Sequence, residues 1–298
     1  MNGVINFYKP PGMTSAQAVA FIKRLTGVKT GHAGTLDPEA AGVLPILSGL
    51  ATRICDCIMD GEKQYLAEIA FGEATDTQDA QGNVTGTGTN YPGYQDLQGI
   101  LCGFTGEIWQ MPPQYSALKT GGETAYKLAR KGLKAELKAR RIEIRRIDLL
   151  QETERHGFLM RILCGKGTYI RTLCNDIGAA LDCPAHLRFL LREKSGRFSL
   201  ADAVTPEEVK EWCGEGMPIP RRWFTGMADA LSALPRYEVP ARMARQALNG
   251  AALPIEDIVQ SGTMTEQTKV CLFLQGELLG MYLVHGDHLK VAAMLREG

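Results

Sequence analysis

The hydrophobic positions change period several times along the chain, and each change predicts an element. Tyr65, Ala67, Ile69 and Phe71 fall on alternate positions, the period of a strand with one buried face. Ala18, Phe21, Ile22 and Leu25 share one helical face, which predicts a helix over Ala16–Leu25. It follows a short strand ending at Asn6-Phe7-Tyr8-Lys9 and a Pro10-Pro11-Gly12 turn, with Thr14 or Ser15 as its cap. Val43–Leu50 is continuously apolar. Residues 97–104 and 123–131 read as helices, and Arg141–Leu150 and Gly157–Cys164 as strands joined by a polar turn. Tyr169–Leu181 reads as a helix opening after Gly165-Lys166-Gly167. Residues 72–96 are acidic and rich in Gly, Thr and Asn, which predicts a long loop.

Prolines at 218, 220, 235 and 240 mark a boundary. The expected division is a catalytic domain over 1–232 and a small module over 233–298. The module carries a short helix (Ala241–Leu248) and two strand-like runs, Val270–Leu274 and Leu278–Val284. The expected class is α+β, a mixed sheet with helices on one or both faces.

A hydrophobic fraction of 45% and a charged fraction of 22% exclude a disordered chain. No apolar run of about 18 residues is present, so no membrane span is expected, and the N-terminus lacks the pattern of a secretory signal. The eight cysteines form no CxxC pair and read as free thiols of a reducing cytosol. His285 and His288 have an HxxH spacing with no further ligands around them, so no metal site is expected.

Lys+Arg and Asp+Glu balance at 33 each, but unevenly along the chain. Residues 118–171 carry 14 basic and 6 acidic side chains, a net of +8, in an otherwise acidic sequence. Such a segment fits a polyanion footprint and equally a solvated helical face.

Candidate chemistry concentrates in Gly31-His32-Ala33-Gly34-Thr35-Leu36-Asp37-Pro38-Glu39, where glycines and a proline specify the backbone. Asp37 is a candidate catalytic carboxylate. Asp before Pro is also a common helix N-cap, and the residues alone leave both readings open. In Gly165-Lys166-Gly167-Thr168-Tyr169-Ile170-Arg171, two glycines before a helix start are compatible with anion binding. There Arg171 is either a partner for a buried carboxylate or an exposed cation.

Taken together and in order, these segments resemble the TruB family of tRNA pseudouridine synthases. The matching stretches are KPPGMTS (9–15), GHAGTLDPEAAGVLP (31–45), KQY (63–65), FGEATDT (71–77) with Asp79, QMPPQYSALK (110–119) and GKGTYIRTL (165–173). The tail beyond about residue 235 resembles, more weakly, a PUA-type RNA-binding module. The resemblance implies a mostly antiparallel synthase sheet flanked by helices, followed by a PUA-like β-rich domain. It implies isomerisation of uridine 55 in the T-loop of tRNA, with Asp37 catalytic and Arg171 keeping it charged and aimed. Tyr65 would stack on the target base and assist removal of the C5 proton. Tyr169 would hydrogen-bond within the site, and Leu190 would form an apolar wall. His32 would fill the space left by the flipped base. Lys9 and Arg53 would lie near the site and the RNA backbone; the family often has Lys where this chain has Arg53. No cofactor, metal or obligate protein partner is implied. With no basic tail or long extension, the chain is expected to be the stand-alone bacterial type, a cytoplasmic monomer acting on the T-arm. Two other classes remain in view: an Asp-dependent hydrolase, for which Glu39 is the nearest second carboxylate, and a non-catalytic RNA-binding or chaperone protein.

Overall fold

The computed structural model describes residues 1–215, 220, 222–258 and 265–296; Pro218 lies outside them. The first part of the chain runs β1 (Gly3–Lys9), α1 (Ser15–Thr26), β2 (Thr30–His32), β3 (Ala41–Ser48), α2 (Cys55–Met59), β4 (Lys63–Phe71), a short hairpin of β5 (Glu73–Thr75) and β6 (Val84–Thr87), α3 (Tyr94–Ile100) and β7 (Gly106–Gln110). It continues through the two-residue strands β8 (Lys119–Thr120) and β9 (Glu123–Thr124), α4 (Ala125–Arg130), β10 (Arg140–Thr153), β11 (Gly157–Cys164), α5 (Ile170–Ala180), β12 (Ala185–Ser195) and β13 (Phe198–Ser199). Then come α6 (Pro206–Glu215), β14 (Phe224–Gly226) and α7 (Met227–Ala230). The main sheet has the order β14-β1-β3-β12-β4-β11-β10-β7, with β13 beside β12 and β2 beside β3. Every pairing is antiparallel except β3–β12, which is parallel. The expected mixed, mostly antiparallel α+β architecture is therefore what forms.

The central strands are buried on both faces. Ile5, Phe7, Leu44 and Ile46 face a core that includes α1 and α5, while Val4, Val43 and Leu47 face a second core. Two buried faces explain why Val43–Leu50 reads as an unbroken apolar run rather than an alternating one.

Thr14 caps α1. Its Oγ1 accepts from Gln17 N, and the Gln17 side chain accepts from Thr14 N. Ser15 instead exchanges two 2.9 Å hydrogen bonds with the backbone of Leu36.

Residues 72–96 do not form one long loop. The β5–β6 hairpin and the start of α3 occupy much of the segment. Its polar side chains build the turn: Asp79 Oδ1 accepts from Thr77 Oγ1 and Gln81 N, and Asp76 Oδ1 accepts from Asn83 N.

The last part comprises β15 (Arg236–Glu238), α8 (Ala244–Leu248), β16 (Leu253–Pro254), α9 (Ile255–Ile258), β17 (Lys269–Leu274), β18 (Glu277–His285) and β19 (His288–Met294), with the sheet order β15-β17-β18-β19-β16. Alternate residues of β17 divide between two cores. Val270, Leu272 and Leu274 fill the module's own interior, whereas Cys271 and Phe273 join the second core with Val43, Leu47, Ile54 and Ile58. The module is thus packed onto the main domain through a shared apolar layer.

At the parallel joint of the main sheet, Gly42 pairs with Arg192. Gly42 has φ +112°, and a Cβ there would lie 2.3 Å from the Arg192 carbonyl oxygen. Gly42→Ala is therefore expected to destabilise the protein by roughly 2–4 kcal/mol, combining backbone strain with overpacking. The check is a lowered thermal unfolding midpoint by circular dichroism.

Candidate active site

Asp37 lies on the connection between β2 and β3, which is held from several sides. Ala33 N donates to Pro45 O at 2.9 Å, and Gly12 N to Pro38 O at 3.0 Å. Lys9 Nζ donates to the carbonyls of Pro10, Met13 and Pro38 at 2.6–2.9 Å. The Ser15–Leu36 exchange fixes the residue just before Asp37. No helix follows Pro38; the chain enters β3 at Ala41. The N-cap reading of Asp37 is thus not the structure formed, and its carboxylate is free to face Arg171.

That pairing is bidentate. Arg171 Nε lies 2.8 Å from Asp37 Oδ2, and Nη2 lies 3.1 Å from Oδ1. Two further donors are also engaged: Nη1 with Thr77 O at 3.0 Å and Nη2 with Tyr115 O at 2.9 Å. Asp79 Oδ2 stands 3.9 Å from Nε. The Arg171 side chain is 5% exposed and that of Asp37 is 38% exposed. A planar guanidinium held at this many points fixes the carboxylate's orientation as well as its distance.

Gln110 positions the helix that carries Arg171. Its Oε1 accepts from Tyr169 N at 2.8 Å and its Nε2 donates to Tyr169 O at 3.0 Å. The Tyr169 amide before α5 is therefore occupied by a side chain of the protein. Lys166, in the same turn, pairs with Asp60 at 2.6 Å.

Two hollows meet at Asp37. The first is a cavity of about 230 Å³ whose lining includes Asp37, Lys63, Tyr65, Tyr169, Leu190 and Arg192. The second is a broader groove of about 830 Å³, whose lining includes His32, Thr77, Asp79, Tyr115, Tyr126 and Arg130. Asp37 and Arg171 line both. Tyr65 and Leu190 are buried walls of the cavity. Burial pushes the phenols of Tyr65 and Tyr169 up, so both are un-ionised at neutral pH. Burial, reinforced by the Arg192 charge, lowers the His32 imidazole, which is therefore neutral at pH 7.

Lys9 lies beside the site, whereas Arg53 is exposed and away from both hollows. Lys9 is fully buried beneath the Asp37 loop, and burial lowers its ammonium to about 8. It braces the loop and has no surface to offer RNA. Arg53 lines neither hollow; its Nη1 donates to the Met294 carbonyl of the C-terminal module at 2.7 Å. The basic segment is also less uniform than its net charge suggests. Lys131, Arg141, Arg145, Arg146, Arg161, Lys166 and Arg171 all have acidic partners, whereas Arg130 faces the groove.

Lys63 and Arg192 carry no role in the sequence reading, yet both reach the cavity. The strand bearing Arg192 is hard to see in sequence. β12 is bulged between Leu187 and Phe189 and again between Arg192 and Lys194, which breaks the two-residue period.

A family model described as TruB family pseudouridylate synthase (N terminal domain) matches residues 23–170. A second, described as tRNA pseudouridylate synthase B C-terminal domain, matches residues 171–217. The chain is 44% identical over 256 residues to tRNA pseudouridine synthase B of Symbiobacterium thermophilum, covering 85% of this chain and 83% of that one. It is 36% identical over 304 residues to the protein of the same name from Alkaliphilus oremlandii, covering 100% and 99%. Among solved structures, a chain of a Cbf5–Nop10–Gar1 complex is similar with a TM-score of 0.76 and 26% identity. A chain of an H/ACA RNP bound to a substrate RNA containing 2′-deoxyuridine matches with a TM-score of 0.73 and 25% identity. Each match covers 99% of this chain and 85% of the other. A sequence likeness that spans the Asp37 loop, the hairpin with Asp79 and the start of α5 in one order leaves one conclusion: the chain belongs to the TruB family of pseudouridylate synthases.

Proposed function

We propose that the protein isomerises uridine 55 in the T-loop of tRNA to pseudouridine, with Asp37 as the catalytic carboxylate. The observation that carries this reading is the Asp37–Arg171 pair, set where a cavity meets a wider groove. The groove receives the RNA and the cavity the flipped nucleoside, at a cost of a few kcal/mol in stacking and pairing. The relatives' shared name supplies tRNA as the substrate class.

In the reaction the N1–C1′ bond breaks, the base turns, C5 bonds to C1′, the C5 proton leaves and N1 gains one. Nothing is oxidised or reduced, so the chemistry calls for no redox cofactor. Arg171 presents the Asp37 oxygens to the sugar and base. Tyr65 offers a ring face for stacking, which does not depend on its ionisation. Removal of the C5 proton by Tyr65 would need a phenolate or a relay, and its raised phenol supports the stacking role over that one. Tyr169 sets a hydroxyl at the rim, Leu190 excludes water, and neutral His32 in the groove fills the gap in the RNA loop. The C-terminal β-rich module is an additional RNA-binding surface, and the protein works in the cytoplasm as a monomer. No helix of the described residues is long and apolar enough to cross a membrane. The hydrolase and pure-binder alternatives are not favoured, because the curated relatives are named as synthases and the aspartate–arginine pair is intact.

Tritium release from T-arm RNA labelled at uridine C5 tests the reading. Wild type releases tritium, and Asp37→Asn loses on the order of 10³-fold or more in rate while still binding RNA. Equal release by both proteins would remove Asp37 from the chemistry. Arg171→Lys keeps a charge but not the two-point fork, and is expected to lower single-turnover rate by about 10²-fold with a smaller change in RNA affinity. Binding of the T-arm weakens as salt rises; Arg130→Gln is expected to reduce the slope of log affinity against log salt by about 1, read by filter binding.

A further inference from the structure

The surroundings of the cavity are more positive than the Asp37–Arg171 pair requires: Arg192 and Lys63 line it, and Lys9 lies behind the adjoining Asp37 loop. Arg192 is 1% exposed, Lys63 is 6% exposed and Lys9 is fully buried. None of the three has a carboxylate within ion-pair distance among the described residues. They are held by backbone carbonyls instead. Arg192 donates to Val43 O at 2.7 Å, Gly34 O at 3.1 Å and Thr35 O at 3.4 Å. Lys63 Nζ donates to the carbonyls of Met59 and Gly61. Carbonyl dipoles compensate such charges only in part, and cations normally enter a protein interior beside a carboxylate. Asp37 and Arg171 neutralise each other, so the field of the other cations remains in the cavity. Its effect on neighbours is visible: the charge of Arg192 adds to burial in lowering both Lys63 and His32. Arg192 and Lys63 also line the cavity, on the adjacent strands β12 and β4.

We propose that Arg192 and Lys63 stabilise the negative charge that the uracil base acquires during the reaction, a role beyond the Asp37–Arg171 pair. When the N1–C1′ bond breaks, its electron pair leaves with N1 and spreads over O2 and O4. If Asp37 adds to the base instead, the charge appears on O4 as an enolate. Either way the base becomes anionic before C5 bonds to C1′; the charge is discharged as its electron pair forms the C5–C1′ bond, and loss of the C5 proton with protonation of N1 then completes the product. Fixed, water-poor cations facing that charge need no reorganisation when it forms. The desolvation cost of burying them is met in folding, before substrate arrives.

The proposal rests on the pseudouridine synthase reading, and its test separates the two. T-arm RNA is prepared with uridine or with 5-fluorouridine at the target position. Conversion of the N-glycosidic nucleoside is followed in single turnovers by nuclease digestion and chromatography. Failure of wild type on uridine RNA would overturn the functional reading itself. Given wild-type activity, Lys63→Met is expected to lose about 10²-fold on uridine but no more than about 10-fold on 5-fluorouridine, whose more acidic base needs less help to carry charge. Arg192→Met is expected to show the same contrast, and Arg192→Lys to recover part of the loss. If Arg192→Met does not fold, Lys63→Met carries the comparison. Equal losses on both substrates, or an effect confined to RNA affinity, would overturn the proposal.

Discussion

The bidentate contact between Arg171 and Asp37 is the constraint on which the site depends. It joins a loop that lies between two strands of the sheet to the first turn of α5, 134 residues further along the chain. The same guanidinium reaches the carbonyls of Thr77 and Tyr115, so the β5–β6 hairpin and the segment after β7 are drawn to one point. Four stretches distant in sequence therefore share a single planar group. A fork of fixed geometry can do this where a flexible ammonium cannot.

Support for that contact comes from the layers behind it. The Asp37 loop hangs from Lys9, Ser15 and Arg192, which arise from β1, α1 and β12 respectively. The parallel register between Gly42 and Arg192 brings β3 and β12 together so closely that no side chain fits between them. Arg192 thereby links the central sheet to the cavity: its backbone belongs to the joint and its side chain to the floor. The C-terminal module adds to the same scaffold, since β17 contributes Cys271 and Phe273 to the core beneath α2, and Met59 at the end of α2 lines the cavity.

Charge plays two different parts. On the outer face of β10 and β11, basic side chains pair with neighbouring acids at the surface, where such pairs contribute little to stability. Around the cavity, Arg192 and Lys63 are buried against carbonyls, with no carboxylate at ion-pair distance among the described residues. The first arrangement suits solubility and modest RNA attraction; the second suits a place where negative charge appears and disappears during catalysis.

Much of the architecture is written locally along the chain. The two-residue period of Tyr65–Phe71, the helical period after Thr14 and the turn glycines are local properties, and local propensity and patterning set them. The motif residues Asp37, Tyr65, Tyr169 and Arg171 were legible as a set because the family resemblance ties them together. Which of two local meanings Asp37-Pro38 takes depends on folding, because the competing partner, Arg171, is remote in sequence. The same holds for Lys9 and Arg53, whose side chains are claimed by a buried loop and by the C-terminal module. Arg192 and Lys63 were silent because a charged residue in a bulged or half-polar strand looks solvent-exposed. Their burial follows from sheet order and from carbonyls contributed by other segments, and one strand's residue pattern does not encode its neighbours.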